Sequence, residues 1–262
     1  MKNWLCSLAV AFSMYSKIPM PRVEWTKERM EYAMCFFPLI GLVVGAAYWL
    51  FGTACGALGL GETVFYAGAG TLIPLAVTGG IHMDGYLDTC DALCSYGSRE
   101  KRLEILKDPH TGAFAVIRCG MYLLGFAAVF SLLPPERLGM AGGIFTLSRA
   151  LSGFAVVSFP KAKRDGLVAT FSENAAKREV QVCSVVWGLL ALGIIFRTAG
   201  AEVCLACGLA AGAAFWRYRA VAFREFGGIT GDLAGWFLQR AELWQVGPAG
   251  GGGAAGGGGG WV

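Results

Sequence analysis

The sequence is short of charge. Only 15% of its 262 residues are Asp, Glu, Lys or Arg, whereas 55% are hydrophobic and the mean hydropathy is +0.54. A soluble domain normally carries about 25% charged residues. The charges that remain are grouped in short stretches between long apolar runs, and about 20 apolar residues are needed to cross the core of a bilayer. The composition therefore excludes an ordinary soluble protein and predicts an integral membrane protein.

Other signals are missing as well. The net charge is only +4, and no array of Lys and Arg of the kind that binds nucleic acid is present. The nine cysteines lie mostly in apolar runs, where a free cysteine behaves as a small hydrophobic residue. Cys204 and Cys207 have the spacing of a zinc site, but no second pair completes it. No convincing cleavage site follows the apolar run from Trp4 to Met14, so we expect a short interfacial or re-entrant helix there rather than a signal peptide.

Six apolar segments are long enough to cross a bilayer. They cover approximately residues 33–57, 63–81, 113–133, 138–159, 180–197 and 201–222. A seventh crossing from Leu233 stays open, because its apolar run ends at Val246. The sequence thus predicts an all-α polytopic membrane bundle of six to seven transmembrane helices with an N-terminal interfacial helix. We expect one catalytic domain over residues 1–246 and a flexible Gly-rich tail over residues 247–262, because so much glycine loses too much entropy to form a stable helix.

The basic residues predict the orientation. If the N-terminus is cytoplasmic and the spans alternate, the cytoplasmic segments are 1–32, 82–112, 160–179 and the chain after about residue 217. All of the 22 Lys and Arg residues lie in these segments or in the adjoining span ends, except Arg137, Arg149 and Arg197. An excess of Lys and Arg is typical of cytoplasmic loops. We therefore expect a multi-pass protein of the inner cell membrane whose active site faces the cytoplasm.

Three aspartates follow the second span. Asp84, Asp88 and Asp91 stand at i, i+4 and i+7, so a helix places them in a narrow arc of one face. Like charges at this spacing repel each other, and a divalent cation would relieve the repulsion. Oxygen ligands without thiol or imidazole suit Mg²⁺, or else Mn²⁺. A solvated acidic helix end is the alternative, but carboxylates beside a span are costly and usually functional.

Two further groups of polar residues are candidates. His82 lies on the opposite side of this helix from the aspartates and is either an interface hydrogen-bonding residue or a substrate ligand. Lys107 is either a phosphate ligand or a solvated lysine, and Asp108 either completes the metal shell or accepts a proton. The glycine-rich turn Gly227–Asp232 lets backbone amides approach an anion closely. We expect the carboxylates of Asp84 and Asp232 to open into one cytoplasmic cavity.

Several short motifs occur in a characteristic order. They are Ser16–Pro21, Gly79–Asp91, Leu103–Asp108, Ser148–Arg149, Arg164–Leu167, Gly227–Asp232 and Glu242. In this order and spacing they resemble the cobalamin synthase family, the adenosylcobinamide-GDP ribazoletransferases of vitamin B12 assembly, over most of the chain. The resemblance implies a Mg²⁺-dependent membrane enzyme that joins adenosylcobinamide-GDP to α-ribazole or its 5′-phosphate and releases GMP.

The resemblance also implies roles for individual residues. The metal ligands are Asp84, Asp88 and Asp91; the phosphate contacts are Lys107, Arg149 and Arg164; the opposite wall is formed by Gly228, Thr230 and Asp232. Catalysis falls to Asp84, Asp88 and Asp108, with Asp108 accepting the proton of the ribazole hydroxyl. The expected partners are the two substrates and the lipid bilayer, with no nucleic acid. A homo-oligomer or a complex with other cobalamin-assembly enzymes stays open.

The chain departs from the family pattern at two places. Pro109-His110 stands where the family usually has Ser-Arg, so a phosphate contact is lost or supplied elsewhere. The stretch Gly247–Gly260 cannot provide the apolar helix with which the family commonly ends.

Other functions fit the sequence less well. A CDP-alcohol phosphotransferase also uses clustered aspartates on membrane helices, but here Asp84-Gly85 is followed by Asp88-Thr89 instead of Ala-Arg, and the later spacing is absent. A cation channel or transporter needs carboxylates at mid-membrane depth, whereas these lie at span ends beside basic residues. A scaffold without activity leaves the row of aspartates unexplained.

Overall fold

The chain folds into a helical bundle. The computed structural model describes residues 2–162 and 167–251. Within them the α-helices are α1 Lys2–Tyr15, α2 Lys27–Met30, α3 Ala33–Ala57, α4 Val64–Thr78, α5 Ile81–Cys94, α6 Arg99–Ile105, α7 Ala113–Phe130, α8 Ala141–Ser158, α9 Leu167–Asn174, α10 Lys177–Val221 and α11 Gly231–Gly251. A 3₁₀-helix, Pro135–Met140, precedes α8, and a π-helical turn, Ala222–Phe226, follows α10. The described residues contain no β-strand, only a single bridge between Lys161 and Ile229. The all-α prediction is confirmed.

Helix α10 is a hairpin. Its backbone breaks at Gly200, which has φ 87° and ψ 175°. The Sγ atom of Cys204 lies 3.3 Å from the carbonyl oxygen of Leu192, and the Leu192 side chain also packs against Gly208. Twelve residues of continuous helix would separate Cys204 from Leu192 by about 18 Å, so the two arms must run antiparallel. These arms correspond to the predicted segments 180–197 and 201–222.

Within the described residues, four helices are long and apolar enough to cross a membrane. They are Ala33–Ala57, Ala113–Phe130, Pro135–Ser158 and Lys177–Phe226, the last of which is the hairpin. The pair α4 and α5 makes a fifth if it counts as one span, although it bends by 99°. The described residues therefore support the prediction of a polytopic membrane protein. The sequence predicted six segments because it counted the two arms of α10 separately and included α4, which is one part of the bent pair.

The four segments predicted to be cytoplasmic meet at one end of the bundle, which we call the aspartate end. The Lys17 N–H donates to the Val77 carbonyl (2.8 Å), Ala176 N–H to Glu31 (3.0 Å), Ala162 N–H to Ile229 (3.0 Å), and the Arg99 guanidinium to the Phe223 carbonyl (3.4 Å). Each contact joins segments that are far apart in sequence. The four segments that the basic residues predict to lie on one side of the membrane therefore do lie at the same end of the bundle.

Helix α11 crosses to the opposite end. It begins at the aspartate end with Gly231, and its Gly250 packs against Leu132, which follows α7. That end also holds the hydrogen bond from the Tyr66 hydroxyl to the Leu133 carbonyl (2.8 Å). Helix α11 therefore runs from one end of the bundle to the other, but it is not among the described helices that are apolar enough to cross a membrane, and the seventh crossing stays a prediction. The helix continues to Gly251, beyond the predicted boundary at residue 246, and residues 252–262 of the predicted tail lie outside the described residues.

Helix α1 lies across the start of α3. At one end of α1, Trp4 stacks on Tyr32 with ring centroids 4.9 Å apart, and at the other end Tyr15 contacts Phe37 at 4.4 Å. Both contacts fall within two turns of α3, although Trp4 and Tyr15 are about 16 Å apart along α1. Helix α1 therefore packs across α3, and its predicted place at the membrane interface stays a prediction.

Candidate active site

Two glycines turn α5 away from α4. Gly79 ends α4 with φ 68°, and Gly80 precedes α5 with φ 79°. Positive φ is readily adopted by glycine and strained for other residues. A Cβ atom on Gly79 would also overlap the Lys17 side chain. The resulting bend directs α5, with its aspartates, across the aspartate end of the bundle.

A second pair of glycines brings α5 against α11. A Cβ atom on Gly85 would lie 2.8 Å from the backbone of Asp232, and one on Gly235 would lie 2.7 Å from the carbonyl oxygen of His82. Only hydrogen fits at these positions, because real Cβ contacts are longer. Small residues permit such close backbone approach between membrane helices. This glycine crossing places Asp232 beside the acidic face of α5.

Asp84 and Asp232 line one cavity, as the sequence predicts. The cavity has a volume of about 230 Å³, and we call it the acidic cavity. Its walls come from α1, α3, α5, α8 and α11, including Tyr15, Phe37, His82, Ser152 and Gly231. Asp84 is exposed and Asp232 is half-buried. Two carboxylates from distant parts of the chain therefore face one pocket at the aspartate end.

Asp88 and Asp91 continue the acidic face beyond this cavity. Asp84, Asp91 and Asp232 are all close enough for their charges to act on the half-buried Asp88 carboxylate. The Asp91 carboxylate packs against Gly112, which precedes α7, so a side chain at residue 112 would overlap it. The α5 aspartates thus extend from the cavity towards the start of α7.

The carboxylates are not a preformed metal cage. In residues 2–162 and 167–251, no group of three or more His, Cys, Asp or Glu side chains is arranged to hold a metal ion. The predicted triad is therefore not yet assembled as a metal site. The donors nevertheless suit Mg²⁺, which usually keeps several waters and binds through one or two carboxylates together with substrate phosphates.

His82 forms part of the cavity wall. Its side chain is 5% exposed and packs between Tyr15 and Phe37, at ring-centroid distances of 5.9 and 5.8 Å. Its Nε2 atom is buried and has no hydrogen-bond partner among the described residues. Its position is compatible with the predicted contact to substrate, and aromatic packing holds the ring.

Lys107 and Asp108 lie away from the acidic cavity. Both are exposed in the turn after α6, and neither lines the pocket. The Asp108 carboxylate accepts hydrogen bonds from the His110 backbone (3.0 Å) and contacts the His110 ring at 2.7 Å. These hydrogen bonds lower the pKa of Asp108. The structure therefore does not bring Asp108 to Asp84, as its predicted role as proton acceptor requires. The predicted phosphate contact Arg164 lies outside the described residues.

The glycine-rich turn is built for packing. The Gly228 N–H donates to the Ala222 carbonyl (3.0 Å) and the Ile229 N–H to the Pro160 carbonyl (2.9 Å), so neither amide is available to an anion. A Cβ atom on Gly228 would lie 2.6 Å from the backbone of residues 160–162. These two amides therefore bind within the chain, and the predicted approach of the turn to a phosphate stays a prediction. Thr230 is buried, and its hydroxyl accepts the Leu233 N–H (3.2 Å) at the start of α11.

Arg149 is paired inside the bundle. Its guanidinium is fully buried and donates to the Glu242 carboxylate (2.7 Å) and the Phe145 carbonyl (2.9 Å). Ser148 also donates to Glu242, at 3.1 Å. Arg149 does not line the acidic cavity; it lies behind the cavity wall, 6.0 Å from the ring centre of Phe37. Its position in this structure is that of a structural residue linking α8 to α11, instead of the predicted phosphate contact.

The aromatic part of the wall was missed by sequence reasoning. Tyr15 and Phe37 belong to the ends of two helices that only the fold brings to α5. Apolar and aromatic residues give no signal of function within membrane segments, where they are abundant. The one available hint was that the motif Ser16–Pro21 follows Tyr15 directly.

Fold and site together define a class: a polytopic helical membrane protein with an acidic cavity, built by two helices, at one end of the bundle. The chain belongs to the cobalamin-5-phosphate synthase family, whose model matches residues 7–246. A protein of Lachnoclostridium phytofermentans is 48% identical over 247 residues, covering 92% of each chain. A protein of Clostridium perfringens is 34% identical over 241 residues, covering 91% of this chain and 94% of its own. Both are named adenosylcobinamide-GDP ribazoletransferase. No solved structure matches the chain.

Proposed function

We propose that the acidic cavity is the place where adenosylcobinamide-GDP is joined to α-ribazole or its 5′-phosphate, with release of GMP. The reaction is the one named for the relatives, which match nearly the whole chain. The observation that supports this location is the meeting of Asp84 and Asp232 in one cavity. No observation favours the alternative of phospholipid synthesis or cation transport.

Mg²⁺ is part of this proposal. Asp84 and Asp232 would hold it at the cavity, with the neighbouring α5 carboxylates of Asp88 and Asp91 adding negative charge on the same helix face. When bound, Mg²⁺ would neutralise charge on the diphosphate and on the leaving GMP. Substrate phosphates would complete the coordination, since Mg²⁺ usually binds proteins through one or two carboxylates.

Residues of the chain would orient the two substrates and accept the proton of the ribazole hydroxyl. The ribazole hydroxyl attacks the phosphorus that carries cobinamide, the P–O–P bond breaks, and GMP leaves. We assign the hydroxyl proton to Asp88 rather than Asp108, because Asp88 lies beside the two cavity carboxylates and is not one of the two that would hold Mg²⁺. The positive end of the α11 dipole begins at Gly231, which also lines the cavity and favours an anionic substrate. Tyr15 and Phe37 would exclude water from this wall.

An assay of the full chain in nanodiscs tests the function. Incubation with adenosylcobinamide-GDP, α-ribazole 5′-phosphate and Mg²⁺ should yield GMP and a cobalamin product in equal amounts, and EDTA should stop both. GMP without a cobalamin product would indicate hydrolysis and contradict the transfer reaction. Full activity in the presence of EDTA would contradict the role of Mg²⁺ alone.

We further propose that the aspartate end faces the cytoplasm in the cell membrane. The segments rich in Lys and Arg gather at this end, as the positive-inside pattern requires. Arg99→Cys and Asn174→Cys should react with an impermeant maleimide only after the cytoplasmic side is opened, whereas Glu62→Cys at the opposite end should react in intact cells. The unsubstituted chain measures labelling of the nine native cysteines. Labelling of residue 99 or 174 in intact cells would overturn this orientation.

A further inference from the structure

A second cavity lies on the other side of the glycine crossing. Its volume is about 520 Å³, and it is lined by residues of α5, α7, α10 and α11. Three arginines from three different helices converge there: Arg118, Arg217 and Arg240. Tyr86 and Trp236 add aromatic walls. This arginine cavity shares no lining residue with the acidic cavity, so the proposed reaction leaves it without a role.

The positive charge of the arginine cavity is not balanced by the protein. Arg118 and Arg217 both lie close enough for their charges to oppose that of Arg240. Glu225, the carboxylate among the described residues of the lining, is already paired with Arg102 and Arg224. Among the described residues, no carboxylate forms an ion pair with any of the three cavity arginines. Arg118 and Arg217 are exposed and Arg240 is half-buried, so the three cations line an accessible cleft in which an anion would be attracted to all of them.

Arg240 is held ready for such an anion. Its guanidinium lies between two indole rings, 4.9 Å from the centre of Trp236 and 5.1 Å from that of Trp244. Cation–π contacts of this kind fix the plane of the group while leaving its N–H donors free to bind. The Arg240 Nε atom is buried and has no hydrogen-bond partner among the described residues. An arginine fixed in this way suits the bidentate recognition of a phosphate.

The mouth of the arginine cavity opens beside the surface that faces lipid. Arg118 lies about 7 Å along α7 from its start, and Arg217 about 6 Å from the end of α10, so both stand at a similar depth near the aspartate end. Their neighbours Ile117 and Trp216 are exposed apolar side chains on spanning helices. The ends of spanning helices lie close to the headgroup region of a bilayer, and basic pockets between membrane helices bind phospholipid headgroups.

We propose that the arginine cavity binds a phosphate group, and that an anionic phospholipid of the surrounding leaflet supplies it. The Arg118 and Arg217 side chains would contact the headgroup from two helices, while Arg240 would form the floor of the site. The acyl chains would lie along the exposed faces of α7 and α10. The same helices that assemble the acidic cavity would then carry a lipid bound on their other side.

Lipid binding by the full chain in neutral detergent tests this proposal. Native mass spectrometry would measure the apparent Kd for phosphatidylglycerol, with phosphatidylcholine as the uncharged comparison. Phosphatidylglycerol should bind more tightly to the wild-type chain, and Arg118→Gln/Arg217→Gln should weaken it about 30-fold, or about fivefold for each arginine. Arg219→Gln is the matched control, since Arg219 lies at the same end of α10 and packs on Phe159 and Phe223 instead of lining the cavity. It should leave the Kd within about twofold.

The remaining outcomes separate the possible sources of the phosphate. Equal binding of phosphatidylglycerol and phosphatidylcholine would overturn the site. Equal binding of phosphatidylglycerol by the wild type and the double variant would also overturn it. In either case the arginines would only extend towards the membrane surface without binding a lipid. Displacement of phosphatidylglycerol by millimolar inorganic phosphate would overturn the lipid source in favour of a soluble phosphate. If the double variant does not fold, by circular dichroism, Arg118→Gln alone is measured and should weaken binding about fivefold. No change would overturn the proposal.

Discussion

The acidic cavity and the arginine cavity lie on opposite sides of one helix crossing and carry opposite charge. Asp84 and Asp232 face the first, whereas Arg118, Arg217 and Arg240 face the second. Gly85 and Gly235 bring α5 and α11 so close that no side chain fits between them. In the two proposals made above, one pair of helices keeps a site for a cation and a diphosphate apart from a site for a single anion. Basic residues near the aspartate end also do not all line the acidic cavity.

The largest effect is expected at Arg149. The charge of this arginine is neutralised by a carboxylate of the protein, unlike the charges of the three arginines in the arginine cavity. Arg149→Met leaves the Glu242 carboxylate buried without its partner and should destabilise the fold by about 3–5 kcal/mol, measured by thermal unfolding in detergent. Arg149→Met/Glu242→Leu should recover most of this loss and keep the KM for adenosylcobinamide-GDP, because neither residue lines the acidic cavity. The exposed Arg197→Gln serves as control. A raised KM in a stable double variant would restore Arg149 to the substrate site.

The next effect concerns the acidic cavity itself. Asp84→Asn should lower the transfer rate by about 10²–10³-fold, since one preorganised electrostatic contact to a transition state contributes about this much. Its insertion and thermal stability should stay close to those of the wild type, because the residue is exposed. The rate of GMP release under saturating Mg²⁺ measures the loss. A rate within threefold of the wild type would show that the α5 aspartates are only a solvated acidic face.

A smaller effect tests the crossing that separates the cavities. Gly235→Ala places a Cβ atom 2.7 Å from the His82 carbonyl, and the forced shift of α11 should cost about 1–3 kcal/mol of stability. The transfer rate should fall although no carboxylate is removed, because Asp232 moves relative to Asp84. Gly247→Ala in the same helix meets no atom within 4 Å and should be neutral or stabilising by about 0.5–1 kcal/mol. Equal stability of the two variants would contradict the tight crossing.

The smallest effect is expected outside both cavities. Asp108 is exposed, pairs with His110, and lines neither pocket. Asp108→Asn should therefore change stability by no more than about 0.5 kcal/mol and the transfer rate by about twofold at most. A 100-fold loss of rate would show that the turn after α6 reaches the substrate and that Asp108 has its predicted catalytic role.

The sequence predicted the parts of this fold that follow from local pattern. The apolar runs located the spanning helices, the spacing of Asp84, Asp88 and Asp91 predicted a helix with one acidic face, and the basic segments predicted which loops share an end. It did not assign Arg149 to Glu242, because the two residues lie on helices that only tertiary packing brings together. It also read the glycines of residues 227–231 as anion-binding, whereas the amides of Gly228 and Ile229 serve the chain itself. A sequence shows where the backbone is flexible. It does not show which hydrogen-bond partner a backbone amide will have in the fold.

The most direct test asks whether Asp84 and Asp232 act on one metal-dependent site. The rate of transfer as a function of Mg²⁺ concentration would be measured for wild type, Asp84→Asn, Asp232→Asn and the double variant. The effects of mutating residues that act as a unit are strongly non-additive. The transfer rate of the double variant should therefore be close to that of the slower single variant. Each single variant should also need more Mg²⁺ for its half-maximal rate. If instead the two losses multiply and the Mg²⁺ requirement stays that of the wild type, the carboxylates do not share a site and this account of the acidic cavity is wrong.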